Sequence, residues 1–121
     1  MNYLLVAAIS GFVAVVMGAF GAHGLKPILS DGMLNAYQTG AHYHLIHSAV
    51  LLAVAVWIKQ HAMKAAAVSA GLFLIGIVLF SGSLYVMAVT GIRALGMVTP
   101  IGGVFLLAGW AALAWAAYKA R

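Results

Sequence analysis

The chain has 121 residues, 66% of them apolar and only 6% charged, with a formal net charge of +5 and no cysteine. Soluble domains carry charge on roughly a quarter of their residues, so this composition excludes an ordinary water-facing surface. It also excludes disulfides, thiolate metal sites and thiol redox chemistry, and the basic residues stand singly or in pairs beside apolar runs rather than forming a nucleic-acid patch.

Four apolar stretches, each near the roughly 20 residues that span a hydrocarbon core, predict an all-α membrane protein. The expected architecture is a single domain over residues 1–121, with four transmembrane helices in an antiparallel bundle. Helix one is expected over residues 3–20. Its start, Met1-Asn2-Tyr3, lacks the basic residues of a signal peptide, so it reads as a retained span, although Ala19-Phe20-Gly21 loosely imitates a cleavage site. A short amphipathic connector, Gly21 to Gly40, leads to helix two. Within it Lys26-Pro27 favours a turn, and Ser30-Asp31 reads as an N-cap that puts the start of helix two as far out as residue 32. The spanning part of helix two is expected over residues 41–58, helix three over 65–90 and helix four over 98–118. The connectors after helices two and three are short enough to make helices two, three and four antiparallel neighbours.

Lys59, Lys64, Lys119 and Arg121 fall on the side of both termini, and Lys26 and Arg93 on the other. The positive-inside rule then places both termini in the cytoplasm. Trp57, Trp110, Trp115 and Tyr118 suit aromatic anchoring, with Trp110 deeper than the rest. Gly18 with Ala22, then Gly71, Gly76, Gly82 and Gly102-Gly103, suggest close helix contacts within one copy or between copies. Membrane lipids and a second copy of the chain are the expected partners.

Polar residues are costly in a bilayer, so their placement carries the functional signal. His23 ends helix one. Tyr37, His44, His47 and Ser48 lie along helix two, Ser81, Ser83 and Tyr85 in the second half of helix three, and Arg93 just beyond it. The topology puts this cluster toward the extracytoplasmic side. Tyr37, Gly40, His44, His47 and Leu51 follow three- and four-residue steps and share a helix face. His42 lies about 140° from His47 and faces elsewhere. His23, His44 and His47 are the candidate metal or haem ligands, since neutral imidazole is the commonest metal ligand. The competing reading is structural, with the histidines bonding to Ser81, Ser83, Tyr85 or backbone carbonyls. It is preferred, because two histidines at this spacing without a carboxylate are a weak metal signal; no cofactor is assigned. Arg93 reads as a snorkelling residue or a cap for helix three.

Asp31 is the only acid in the chain and lies outside the apolar runs. A proton-coupled exporter of this size needs a membrane carboxylate, and general acid–base catalysis by histidine has no carboxylate partner. No catalytic residue is assigned. The leading function is a binding or accessory membrane protein; the alternatives are a small transporter or channel, and a haem- or metal-binding membrane protein.

Gly18-Ala19-Phe20-Gly21-Ala22-His23-Gly24-Leu25-Lys26 resembles the opening signature of the domain-of-unknown-function 423 family of small inner-membrane proteins (YgdD/YwdK-like), related to the transmembrane-protein-256 group. Tyr43 to Ala49, Phe80 to Tyr85, and Thr99 to Gly103 followed by Gly109-Trp110 resemble its later signatures, in order along the whole chain. The resemblance implies a bacterial inner-membrane location and four helices. It implies no reaction, substrate or cofactor.

Overall fold

The computed structural model describes residues 1–120, and Arg121, one of the cations in the charge asymmetry, lies outside them. Among the described residues there are four long helices: α1 (Tyr3–Phe20), α2 (Asp31–His61), α3 (Lys64–Thr90) and α4 (Thr99–Ala120). All four are long and apolar enough to cross a membrane.

Local chemistry sets the ends. The Asn2 side chain accepts from Leu5 N–H at 3.1 Å, opening α1. Ser30 Oγ accepts from Met33 N–H at 3.3 Å, with Asp31 beside it at the positive end of the helix. Ala62, at φ 44°, turns the chain left-handed after α2, and Gly91, at φ 74°, does so after α3. Gly91 donates its N–H to Met87 carbonyl at 2.8 Å. That bond closes α3, so Arg93, exposed on the 3₁₀ turn Arg93–Met97, is not its cap.

The connector expected over Gly21 to Gly40 is mostly helix. Gly21–Leu25 continues α1 as one π-helical turn, and Ser30 starts α2 immediately after the Lys26-Pro27 bend. The reason lies at Gly21. A Cβ there would sit 2.5 Å from Tyr37 Cε1, so only glycine lets the fully buried Tyr37 ring lie against the end of α1. α2 is therefore 31 residues long, a rise of ~46 Å at 1.5 Å per residue, against a hydrocarbon core of about 30 Å.

Substantial packing runs between neighbours in sequence: α1 on α2, α2 on α3 and α3 on α4. The α2–α3 pair is central, with α1 and α4 flanking it. An apolar core gathers Ala7, Leu51, Val54, Ala70, Phe73 and Leu106 toward the ends of the helices near the termini. A smaller one at the other end joins Leu25, Tyr37 and Ala88. Glycines fix the closest approaches between α3 and α4. A Cβ on Gly76 would meet Leu106 Cδ2 at 2.6 Å, one on Gly109 would meet Phe73 Cδ1 at 2.8 Å, and one on Gly102 would lie 2.7 Å from the Leu79 carbonyl carbon. Gly18 and Gly82, expected at contacts, have nothing within 4 Å.

Candidate functional site

The shared face of α2 forms as expected. Tyr37, Gly40, His44, His47 and Leu51 are all buried, and His42 is exposed. Because α2 begins at Asp31, His44 and His47 lie near its mid-length. The polar layer thus reaches from the connector end, where Tyr37, Ser83 and Tyr85 sit, to the middle of the helices.

His44 is 5% exposed and is held from two other helices. Its Nε2 lies 3.1 Å from Ser10 Oγ on α1, and its Nδ1 2.8 Å from the Tyr85 hydroxyl on α3. Ser10 Oγ is also 2.6 Å from Ser48 Oγ, and Ser48 donates to the His44 carbonyl at 2.7 Å. These partners assign the protons. A carbonyl can only accept, so Ser48 spends its hydrogen there and must accept from Ser10. Ser10 then accepts from His44 Nε2–H, which leaves Nδ1 as the acceptor for Tyr85 O–H.

One turn on, His47 is equally buried and differently placed. Its Nδ1–H donates to the Tyr43 carbonyl at 2.8 Å, one turn back on its own helix. Its Nε2 accepts from Trp110 Nε1–H of α4 at 3.1 Å. Aromatic rings surround it, with Tyr43 stacked at 5.8 Å, Phe73 at 5.8 Å and Trp110 edge-on at 6.0 Å. Both imidazoles are neutral in this pattern, and they carry opposite tautomers.

Among the other candidates, Tyr37 donates to the Met17 carbonyl at 2.5 Å and Ser81 to the Gly40 carbonyl at 2.7 Å. Ser83 donates to the Phe80 carbonyl at 2.9 Å and lies 2.6 Å from the Thr99 hydroxyl. Among the described residues no buried side-chain nitrogen or oxygen lacks a partner.

His23, His44 and His47, the candidate ligands of the less favoured metal reading, are not brought together. His23 is exposed on the π turn, and His44 and His47 direct their nitrogens to different helices. Among the described residues no group of three His, Cys, Asp or Glu side chains could hold a metal ion. Ser10 and Trp110 belong to the layer without having been singled out as its members. A lone serine within an apolar span carries a burial cost that could have flagged Ser10. The sequence held no signal for pairing Trp110 with His47.

The chain matches the family described as "Protein of unknown function (DUF423)" over residues 17–103, a range that begins beside Gly18 and ends at Gly103. It is 43% identical over 120 residues to a UPF0382 membrane protein of Haemophilus influenzae, covering 99% of this chain and 96% of that one. It is 42% identical to the UPF0382 membrane protein YwdK of Bacillus subtilis, covering 97% and 96%. To the UPF0382 inner membrane protein YgdD of Escherichia coli K12 it is 43% identical, covering 89% and 82%. No solved structure gives a significant match.

Proposed function

The chain belongs to the DUF423 family of membrane proteins, and on that premise we infer that it is a binding or accessory protein of the bacterial inner membrane, without catalytic chemistry of its own. The observation that carries this reading is the state of the histidine layer. All four ring nitrogens of His44 and His47 bond to protein groups, three of them on other helices. Groups so engaged hold helices together and are not free to attack, ligate or shuttle. With Asp31 outside the apolar runs, no carboxylate is present to make either histidine a general base.

Both termini face the cytoplasm in this reading, on the strength of Lys59, Lys64 and Lys119 at the terminal side against Lys26 and Arg93 opposite. A reporter fused to the C-terminus should behave as cytoplasmic, and a tag between Lys26 and Ser30 as external. The reverse pattern inverts the orientation.

A second reading has one specific support. A groove of about 360 Å³ between α1 and α3 is lined by Ser10, His44 and Tyr85, so a transported solute could displace the internal bonds there. Flux assays in proteoliposomes decide between the two. Uptake of any solute that disappears on His44→Gln would replace the accessory reading with transport.

A further inference from the structure

Among the described residues every buried side-chain nitrogen and oxygen has a partner, but a cluster on the exposed outer turns of α2 is left unbonded. On the outer turns of α2, the side chains of Asn35, Gln38 and His42 and the hydroxyl of Tyr43 form no hydrogen bond among the described residues, while Thr39 donates to the Asn35 carbonyl at 2.9 Å. These five residues line a shallow cavity of about 430 Å³. Tyr43 also belongs to a second cavity of about 430 Å³, the groove between α2 and α4, whose other walls include Phe80, Gly103, Leu107 and Trp110.

The two halves differ in chemistry. The groove offers no free polar group at its inner end, because Trp110 N–H and both nitrogens of His47 are already bonded. It suits an alkyl chain. The outer cavity presents amides and an imidazole, which both donate and accept, and no charged side chain. From Pro100 to Trp110 the groove descends ~15 Å at 1.5 Å per residue, half of the roughly 30 Å hydrocarbon core. That is the depth of one leaflet.

We propose that this groove is a lipid site. One alkyl chain of a phospholipid from the connector-side leaflet lies between α2 and α4, with its head against Asn35, Gln38 and His42 and its ester region at the Tyr43 hydroxyl. A zwitterionic head with both donors and acceptors, of the phosphatidylethanolamine kind, matches the uncharged polar cavity. The proposal gives a ligand class to the binding reading above, and its failure leaves the flux test of that reading untouched.

Gly103 provides the means to test it. A Cβ there would come no closer than 3.8 Å to Phe80, an ordinary contact, so Gly103→Leu fills the groove without straining the fold. Leu107→Trp, at a position 71% exposed, is a second plug that touches no core residue. Val89→Trp, at an exposed position on α3 outside both cavities and outside the α1–α3 groove, is the control. Native mass spectrometry of the purified chain titrated with phosphatidylethanolamine should show one lipid retained per chain. Both plugs should weaken that retention about tenfold, equivalent to ~1.4 kcal/mol, and the control should leave it unchanged. The pair Gln38→Leu with His42→Leu should abolish any preference over diacylglycerol carrying the same chains. A statistical spread of bound lipids, or equal losses from the plugs and Val89→Trp, would mean an unspecific lipid coat and overturn the site.

Discussion

The two flanking helices, α1 and α4, are attached to the central pair by different means. α1 meets α2 through hydrogen bonds: Ser10 to His44 and Ser48, and the Met17 carbonyl to Tyr37. Within α1 the glycines contribute little, since a Cβ on Gly11 would come no nearer than 4.0 Å to Ser48 and one on Gly18 would meet nothing, and the one close approach is Gly21 against Tyr37 on the π turn beyond. α4 is also hydrogen-bonded, through Ser69 to Gly109, Ser83 to Thr99 and Trp110 to His47, but it lies so close to α3 that Gly76, Gly102 and Gly109 leave no room for a methyl group. Lipid tails are as apolar as leucine, so burial alone gives helices little reason to associate, and polar bonds or close packing must supply it. Here both flanking helices have polar bonds, and only α4 adds close backbone packing along its length.

The contrast can be broken by selective release. The chain has no native cysteine, so single cysteines at Ala7 on α1 and Ala116 on α4, 2% and 0% exposed, report on each helix through labelling by a membrane-permeant maleimide. The largest effect is expected from Gly102→Leu. Its side chain would have to enter the Leu79–Phe80 backbone, which cannot rotate away as a side-chain tip can, at a cost of about 3 kcal/mol or more. The Ala116 reporter should become reactive while the Ala7 reporter stays protected. Equal labelling of both would show that the flanking helices are not independently attached.

Next comes His44→Ala, which should cost about 2–3 kcal/mol by leaving Tyr85 and the Ser10–Ser48 pair with unmet hydrogen bonds. Here the reporter pattern should invert, with Ala7 exposed and Ala116 protected. His44→Gln should recover part of the loss, because an amide both donates and accepts. Ser10→Ala removes one interhelical anchor and should cost less, about 1 kcal/mol, with the same inverted pattern. Release of α4 by either variant would contradict the division of roles.

How much of this was legible in the sequence follows from the distance over which each feature is decided. The helices, the Ser30 cap and the buried face of α2 depend on residues within one or two turns, and four helices with that cap and that face are present, while the connector expected over Gly21 to Gly40 is mostly helix. The partners of that face depend on how neighbouring helices are rotated. Of the partners expected for the two histidines, Ser81, Ser83, Tyr85 or a backbone carbonyl, His44 meets Tyr85, but its other partner is Ser10, 34 residues away on α1. His47 meets Trp110 across 63 residues. Glycine shows the same limit. Gly102 and Gly103 are adjacent, yet one is pressed against Phe80 backbone and the other opens a groove, a difference of about 100° in helix rotation that composition does not encode. His23, a candidate ligand in the less favoured metal reading, stands apart for a local reason, since the π turn at Gly21–Leu25 leaves it exposed.

The smallest expected effect involves the position of a proton, and it separates the α1 and α4 attachments most finely. At His44 the carbonyl that Ser48 serves propagates through Ser10 and fixes the ring as Nε2–H. At His47 the Tyr43 carbonyl fixes Nδ1–H directly. Nitrogen-15 spectra of the histidine-labelled protein in lipid should therefore show two neutral rings of opposite tautomer. Trp110→Phe removes only the donor to His47 Nε2, costing ~0.6 kcal/mol, and should leave its tautomer unchanged because the carbonyl still demands a proton on Nδ1. Ser48→Ala should disturb His44 instead. It frees Ser10 to donate to Nε2, so the proton can move to Nδ1 and face the Tyr85 oxygen. A tautomer change at His47 on Trp110→Phe, or none at His44 on Ser48→Ala, would show that the two rings are not governed by the separate contacts assigned to them.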